Sequence, residues 1–548
     1  MKDGFLCVAA ATPKIRVADC SHNAQQIIDI ALSAPADTAL LVFPELCIIG
    51  YTCGDLVFQP VLLRSAENAV AHILEQTALL DTVLVVGVPV SAGSSLYNCA
   101  AVCQRGRLLG LVPKSHLPSY AEFYESRYYA SAEDEPVPLA FAGQDTVMSR
   151  NQLFSCRSIS DFCLGVEICE DLWASSQPSQ KLAEAGATVI ANLSASTEGT
   201  GKPSYRRQLV AMQSARLLCA YVFADAGDGE STTDVVFSGH SMIAENGVIL
   251  AESRRYTTGV ISSEVDLAHL VYDRRRISTC TNSGSMPVVQ FDRNVRELSL
   301  TRDITPAPFV PRDIGAQEGC CEEILSIQTM GLAKRLEHTG GCAVVGLSGG
   351  LDSALALLVI VRAYDRLGIP RRDIHAVTMP CFGTTSRTLN NARTLAGACG
   401  ATLHEIDITK AVTQHLSDIG HGGAQDITYE NSQARERTQV LMDLANQYGG
   451  LVIGTGDLSE LALGWATYNG DHMSMYGVNA SVPKTLLRYI VSYEARRLGG
   501  TPGGALTDIL NTPVSPELLP PDNGEISQRT EQIVGPYELH DFFLYHFI

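Results

Sequence analysis

One stretch limits every reading of this 548-residue chain. From Thr301 to Gly315 it runs TRDITPAPFVPRDIG, with three prolines and no regular hydrophobic period. Each proline fixes its φ and removes a backbone donor, so neither a helix nor an inner strand passes through such a stretch. On both sides of it, short apolar runs alternate with amphipathic segments. A chain this long also exceeds what one hydrophobic core organises. The expectation is two α/β domains: residues 1–270, a linker at 271–316, and residues 317–548.

In the first half, GFLCVAAAT, TALLVFPEL, TVLVVGVPV, LGVEICED and ATVIANLSAS read as buried strands. NAQQIIDIALSAPA and SAENAVAHILEQTALL read as helices, which together give a layered α/β domain. In the second half, the helix EEILSIQTMGLAKRLEHTG leads into a strand, and alternation resumes through IHAVTMPC, NNARTLAGACG, ATLHEIDI and GGLVIGTG. That order fits a doubly wound parallel sheet, Rossmann-like in type. The last stretch, GPYELHDFFLYHFI, reads as an apolar helix without a cap or polar tail, and further C-terminal residues are expected beyond it.

The formal net charge is −19, from 40 basic and 59 acidic side chains. That field opposes general nucleic-acid binding and leaves room only for a local basic pocket. No apolar run reaches the roughly 18 residues that span a bilayer, so no membrane partner is expected. No charged, apolar and cleavage-site series opens the chain. The 16 cysteines contain no C-x-x-C pair, and adjacent Cys320 and Cys321 are poorly placed for a disulfide. Reduced thiols in a cytoplasm, used mostly as core filler, are the expectation.

Val344–Val359, VVGLSGGLDSALALLV, is an apolar strand, a glycine pair and an apolar helix. It lacks the lysine of G-x-x-x-x-G-K-[ST] and instead carries Asp352 between Ser348 and Ser353. Gly349 and Gly350 let backbone N–H groups approach an anion, and the helix N-terminus favours negative charge. An acid in such a loop makes sense as a ligand of Mg²⁺ accompanying phosphates. A glycine pair alone is a tight connection; the full S-G-G-L-D-S between strand and helix points to phosphate.

This loop resembles that of the ATP pyrophosphatases, which cleave ATP between its α and β phosphates and adenylate a substrate oxygen. ENSQARERTQVLMDLAN (Glu430–Asn446) and VIGTGDLSELALGWATYNGDHMSMYGVNASVPKTLLR (Val452–Arg488) are similar, in order, to the synthetase domain of the NAD synthetases. The resemblance implies ATP at Gly346, Leu347, Ser348, Gly349, Gly350, Leu351, Asp352, Ser353 and Thr455. It implies deamido-NAD at Asn431, Glu460, Trp465, Asp471 and Lys484, with His472 beside Asp471 near the pyridine carboxylate and the entering ammonia. Lys484 would offset phosphate charge. Asp352 and Glu460, on separate elements, would hold the cofactor Mg²⁺ against pyrophosphate. Plainer readings stand beside these: Trp465 as core, Asp471 as a turn residue, and Arg435 and Arg437 as solvated helix charges.

The first half carries three separated pieces. VFPELCIIGY, GLVPKSHLPSYAEFYESRYY and LGVEICEDLW place Glu45, Lys114 and Cys169 at the ends of three apolar strands. Each alone is weak, but strand ends of one α/β domain converge on one edge, where such sheets build sites. The trio resembles the Glu-Lys-Cys set of the nitrilase-type amidohydrolases, which implies an αββα sandwich. It also implies that Glu45 takes the thiol proton, Cys169 attacks a carboxamide, and Lys114 with the Glu170 N–H stabilises the oxyanion. The nearby cation would lower the cysteine pKa. Resemblance to the glutaminase domains further assigns glutamine recognition to Tyr120, Glu170, Ser196 and Lys202, where a lysine loses the bidentate geometry of arginine.

Together these segments cover nearly the whole chain and resemble the two-domain glutamine-dependent NAD(+) synthetases. The resemblance implies that deamido-NAD, ATP and glutamine give NAD, AMP, pyrophosphate and glutamate. It also implies an ammonia tunnel and a large homo-oligomer, an octamer. In that family a basic segment with a lysine that closes over the dinucleotide follows the last helix. Two other readings stay open: another ATP-pyrophosphatase amidotransferase, or a nitrilase-like amidase with a nucleotide-sensing domain. The first requires a Cys-His-Glu triad, and intact Asp352, Glu460 and Lys484 argue against the second.

Overall fold

Alternation along the strands sets the layers of the N-terminal half. In the computed structural model, which describes residues 3–280, 284–520 and 530–548, Leu40 and Val42 enter one core and Leu41 and Phe43 another. Their strand, Thr38–Val42, lies third in an eight-stranded sheet. The order is Gly259–Asp266, Phe5–Thr12, Thr38–Val42, Val83–Ala92, Ser95–Gln104, Arg107–Pro113, Gln144–Met148 and Val137–Phe141. A second sheet of seven strands is centred on parallel Cys163–Ile168, Val189–Ser194 and Ala220–Asp225. The inner core joins Val8, Val42 and Val85 of one sheet to Val166, Ala191 and Val222 of the other. Outside, the helices Cys20–Ser33 and Pro60–Gln76 cover the first sheet. Pro178–Glu184 and Lys202–Leu217 cover the second. The result is the expected αββα sandwich, because the central strands send alternate side chains to the inner core and to the helix layers.

The chain divides into two units, Met1–Asp303 and Ile304–Ile548. The linker expected at 271–316 is therefore corrected at both ends. Its first residues finish the helix Leu267–Arg276, and Val288–Phe291 pairs in parallel with Leu153–Cys156. Arg293 then donates to the carbonyls of Thr38 and Asp37 at 2.9 and 2.7 Å. A four-residue strand carries too little periodicity to be seen in sequence. At the other end, the helix Ile314–Thr339 begins inside the expected linker, capped by Asp313, whose side chain accepts the Ala316 N–H at 2.9 Å. Residues 281–283 of that linker lie outside the described residues.

The second unit has a parallel five-stranded sheet in the order Thr402–Glu405, Ile374–Thr378, Ala343–Gly346, Leu451–Gly454 and Tyr476–Gly477. Val345, Ala376 and Ile453 enter the core on one face, and Val344, Val377 and Val452 the core on the other. Helices cover both faces, as expected of a doubly wound sheet. The helix Leu351–Leu367 packs against the sheet and against the helices Ile314–Thr339 and Lys484–Leu498, which is why it is apolar almost all round. The chain first builds outward from Ala343–Gly346, then returns to its other side with Leu451–Gly454. The crevice at the C-terminal ends of those two strands is where such sheets bind ligands.

Candidate active sites

In the first unit, Lys114 and Cys169 directly follow strand ends, Glu45 lies three residues past one, and their side chains are buried together. Lys114 Nζ donates to Glu45 Oε1 at 2.6 Å and to Glu125 Oε1 at 2.7 Å. Asn98 Nδ2 also donates to Glu45 Oε1, at 2.7 Å, and the Ala195 N–H donates to Glu45 Oε2 at 3.1 Å. Burial opposes the charge on Lys114, but the carboxylates of Glu125 and Glu45 outweigh it and hold the ammonium well above the usual lysine pKa. Burial, with the charges of Lys114 and Glu45 acting in opposite senses, pushes the Glu125 carboxyl up to about 7. A buried Tyr51 hydroxyl donates to Glu125 at 2.8 Å.

The expected downward pull of the Lys114 cation on the thiol is present but outweighed. Burial, and then the Glu45 charge, push Cys169 well above the ordinary cysteine pKa, and Lys114 pulls it down without reversing the shift. A thiol held this high calls for a base to accept its proton before it can act as a nucleophile. Cys169 also has φ 45° and ψ −97° where strand turns into the helix Glu170–Trp173. That conformation is strained, and Cys169 belongs to the inner core cluster. Asp171 locks the turn: its carboxylate accepts N–H groups of Ile168 at 3.0 Å, Ser115 at 3.2 Å and His116 at 2.8 Å. One buried acid thus ties the Lys114 strand end to the Cys169 strand end.

The four glutamine-recognition candidates surround this centre. The exposed Tyr120 hydroxyl donates to Glu170 Oε1 at 2.9 Å. The Ser196 N–H donates to Asp225 Oδ1 at 2.8 Å, and its hydroxyl accepts from Arg206 Nε at 3.2 Å. Lys202 Nζ donates to Thr197 Oγ1 at 2.7 Å and lies 5.7 and 5.8 Å from the ring centres of Trp173 and Phe123. Burial and then Arg206 depress the Lys202 ammonium, while Cys169 is among the groups that raise it. Thr197 in turn donates to Glu122 at 2.8 Å.

In the second unit, a cleft of about 630 Å³ lies at the sheet's switch point. Its wall includes Gly346, Leu347, Ser348, Gly350, Leu351, Asp352, Ser353 and Thr455. Asn431, Glu460, Trp465, Asp471 and His472 line it as well. Leu347 and Leu351 are mostly core. Gly349 does not face the cleft. It has φ +84°, and a Cβ there would stand 2.1 Å from the Thr388 carbonyl oxygen, so only glycine fits. Trp465 is half-buried on the cleft wall rather than in a core. Arg437 lines the cleft, whereas Arg435 is exposed and donates to the Tyr468 carbonyl at 3.2 Å.

Lys484 is placed differently from its expected role against phosphate. Its ammonium is buried and paired with Asp352 Oδ1 at 2.8 Å, Asp457 Oδ2 at 2.7 Å and Glu460 Oε1 at 2.8 Å. It therefore neutralises acids in this structure. Carboxylate oxygens of Asp352, Asp457 and Glu460 lie within 4.8 Å of one another, a hard-oxygen set that fits Mg²⁺. Burial and then the Asp352 charge raise Asp457 to about 7 and Glu460 to about 8. Buried Asn479 donates to the Asp352 carbonyl at 2.9 Å and the Thr455 carbonyl at 3.0 Å, joining the nucleotide loop to the next strand.

The residues that sequence reasoning missed are mainly Asn98, Glu125, Asp457 and Asn479. Only Asp457 left a local signal: it caps the helix Leu458–Leu463 by accepting the Glu460 N–H at 2.8 Å, a D-x-x-E spacing. The others act across the fold.

Comparison with known proteins agrees with this geometry. The carbon-nitrogen hydrolase family matches residues 7–275 and the NAD synthase family residues 326–505. The glutamine-dependent NAD(+) synthetase of Mycobacterium bovis is 43% identical over 564 aligned positions, covering 99% of this chain and 83% of that protein. The Thermotoga maritima enzyme of the same name is 30% identical, covering 96% and 86%. A solved glutamine-dependent NAD+ synthetase from Acinetobacter baumannii, in complex with ADP, is 26% identical with a TM-score of 0.40 over 92% of this chain and 84% of that one. On the sequence matches alone, this chain belongs to the glutamine-dependent NAD(+) synthetase family.

Proposed function

We propose that the first unit releases ammonia from glutamine and that the second uses it to amidate ATP-activated deamido-NAD, giving NAD, AMP, pyrophosphate and glutamate. The observation that carries this reading is the buried pairing of Lys114 with Glu45, both of which act electrostatically on the buried Cys169. A thiol with a raised pKa makes no nucleophile until a base accepts its proton.

Glu45 takes that proton, and the sulfur attacks the glutamine carboxamide carbon. The oxyanion meets the Lys114 ammonium and the Glu170 N–H. As the intermediate collapses, Glu45 returns the proton to the departing ammonia. Water, with Glu45 again as base, then hydrolyses the thioester to glutamate. Glu125 holds Lys114 from its far side. Lys202, in its aromatic and hydroxyl surround, offers a cation to the glutamine carboxylate, and Tyr120, Glu170 and Ser196 complete the recognition set.

In the cleft of the second unit, Ser348, Ser353 and the backbone of the glycine loop receive ATP phosphates, and Thr455 faces them from the neighbouring strand. Asn431, Trp465 and Asp471 receive the dinucleotide. Asp352, Glu460 and the unforeseen Asp457 would hold Mg²⁺, which when bound neutralises charge on the departing pyrophosphate. Adenylation turns a poor acyl donor into one with a leaving group. The reading places the enzyme in the cytoplasm, where ATP and glutamine are available; its 16 thiols, all unpaired in the structure, support that placement. Among the described residues no helix is long and apolar enough to cross a membrane. An octamer is proposed on the family resemblance.

The test is direct. Glutamine, ATP, Mg²⁺ and deamido-NAD are supplied, and NAD, AMP and glutamate are followed, with ammonium replacing glutamine in a parallel reaction. NAD from both sources is the expected result. No NAD from either source overturns the reading.

A further inference from the structure

The helix Tyr537–Phe547 holds a carboxylate that the reaction scheme above does not use. Asp541 is 1% exposed. Its Oδ1 accepts from the Ser459 hydroxyl at 2.5 Å, and its Oδ2 accepts from the Thr485 N–H at 2.8 Å and the Thr485 hydroxyl at 2.6 Å. All three donors are neutral. Among the described residues no cation pairs with it, and a buried carboxylate held only by neutral donors is expensive, so its place in the fold needs a reason.

The neighbours supply one. Ser459 precedes Glu460 on the helix Leu458–Leu463, and Thr485 follows Lys484 at the start of the helix Lys484–Leu498. The Ser459 hydroxyl also accepts the Lys484 N–H at 2.8 Å. The helix from Lys484 begins after Pro483, which supplies no side-chain cap. Asp541 therefore caps that helix from a distant part of the chain, with its charge at the favourable helix end. One turn earlier, the buried Tyr537 ring centre lies 5.3 Å from Lys484 Nζ. The same helix face thus meets both the backbone and the ammonium of the Lys484 segment.

We propose that Asp541 is a positioning residue of the synthetase site. Through Ser459 and Thr485 it fixes Glu460 against Lys484, and so sets the geometry of the Asp352, Asp457 and Glu460 carboxylates on the cleft. Only an acceptor-only group satisfies three converging donors; an asparagine presents an N–H₂ to at least one of them. The inference rests on the synthetase reading of that cleft.

The experiment compares the wild type with Asp541→Asn, Ser459→Ala and the double variant. Folded fraction, kcat and KM for ATP in NAD formation from saturating ammonium, and glutamine hydrolysis are measured for each. The expected result is a folded Asp541→Asn protein with kcat lowered about 10- to 100-fold. KM for ATP and glutamine hydrolysis stay near wild type, and Ser459→Ala adds little on top. Wild-type kcat in folded Asp541→Asn, or strictly additive losses in the double variant, overturns the proposal. If Asp541→Asn does not fold, Ser459→Ala and Thr485→Val each remove one donor, and wild-type kcat in both overturns it equally. Failure of the wild type to make NAD from either nitrogen source instead overturns the synthetase reading itself.

Discussion

Each unit buries one lysine among carboxylates, and the two clusters differ in number and in access. Lys114 faces Glu45 and Glu125, with all three side chains 4% exposed or less. Lys484 faces Asp352, Asp457 and Glu460, and the side chains of Asp352 and Glu460 are 22% and 24% exposed toward the cleft. In the closed cluster, burial raises the Glu125 carboxyl to about 7 and holds the Cys169 thiol high. In the open cluster, three acids outnumber one ammonium, and the surplus negative charge can attract a cation from the cleft. On the proposed function, the same residue type supports proton transfer in one place and cation binding in the other. Solvent access and one extra carboxylate decide which.

Breaking the closed cluster is expected to give the largest effect. Cys169→Ala removes the nucleophile, so glutamine-dependent NAD formation falls by roughly 10⁴-fold or more, while ammonium still supports NAD. Glutamine-dependent synthesis surviving in that variant would refute the role of the thiol. Breaking the open cluster reads out differently: Glu460→Gln or Asp352→Asn lowers NAD formation from both nitrogen sources by about 10²- to 10³-fold. Loss confined to the glutamine reaction would mean that the carboxylates do not serve the synthetase step.

A finer test returns to the closed cluster. Glu125→Gln leaves Lys114 paired to Glu45 alone, which tightens that pair and makes Glu45 a poorer base. Glutamine hydrolysis is expected to fall roughly tenfold, with the ammonium reaction untouched; an unchanged hydrolysis rate would remove Glu125 from the scheme. The smallest effect concerns pH. Glu460 and Asp457 are raised to about 8 and 7, so protons compete with the metal as pH falls through that range. The Mg²⁺ concentration for half-maximal NAD formation should rise between pH 8.5 and 7, by up to about tenfold per unit. A flat profile would show that these acids are already ionised or do not bind the metal.

Local patterns carried much of the fold into view. The strands Phe5–Thr12, Thr38–Val42, Val83–Ala92, Cys163–Ile168 and Val189–Ser194 all lie in the apolar runs that marked them. They stand out as continuous apolar runs because these inner strands are buried on both faces. The short pairing Val288–Phe291 with Leu153–Cys156 left no such mark, since four residues show no period and the partner is far along the chain. The site shows the same division. Glu45, Lys114, Cys169 and the S-G-G-L-D-S loop stand at or shortly after strand ends, where a local pattern points to an edge. Glu125, Asn98 and Asp541 matter only through what they touch.

By itself, the sequence determined the two-domain α/β plan and placed Glu45, Lys114, Cys169 and the S-G-G-L-D-S loop at or shortly after strand ends. Each of these depends on residue type at a fixed offset from a local element, which is information the chain carries in order. Tertiary structure alone decided that Lys484 sits among three carboxylates, that burial raises the Cys169 thiol, and that Asp541, on a helix after residue 536, caps the helix Lys484–Leu498. Burial, electrostatic balance and hydrogen bonds between distant segments set these features, and all three arise only when the chain closes on itself.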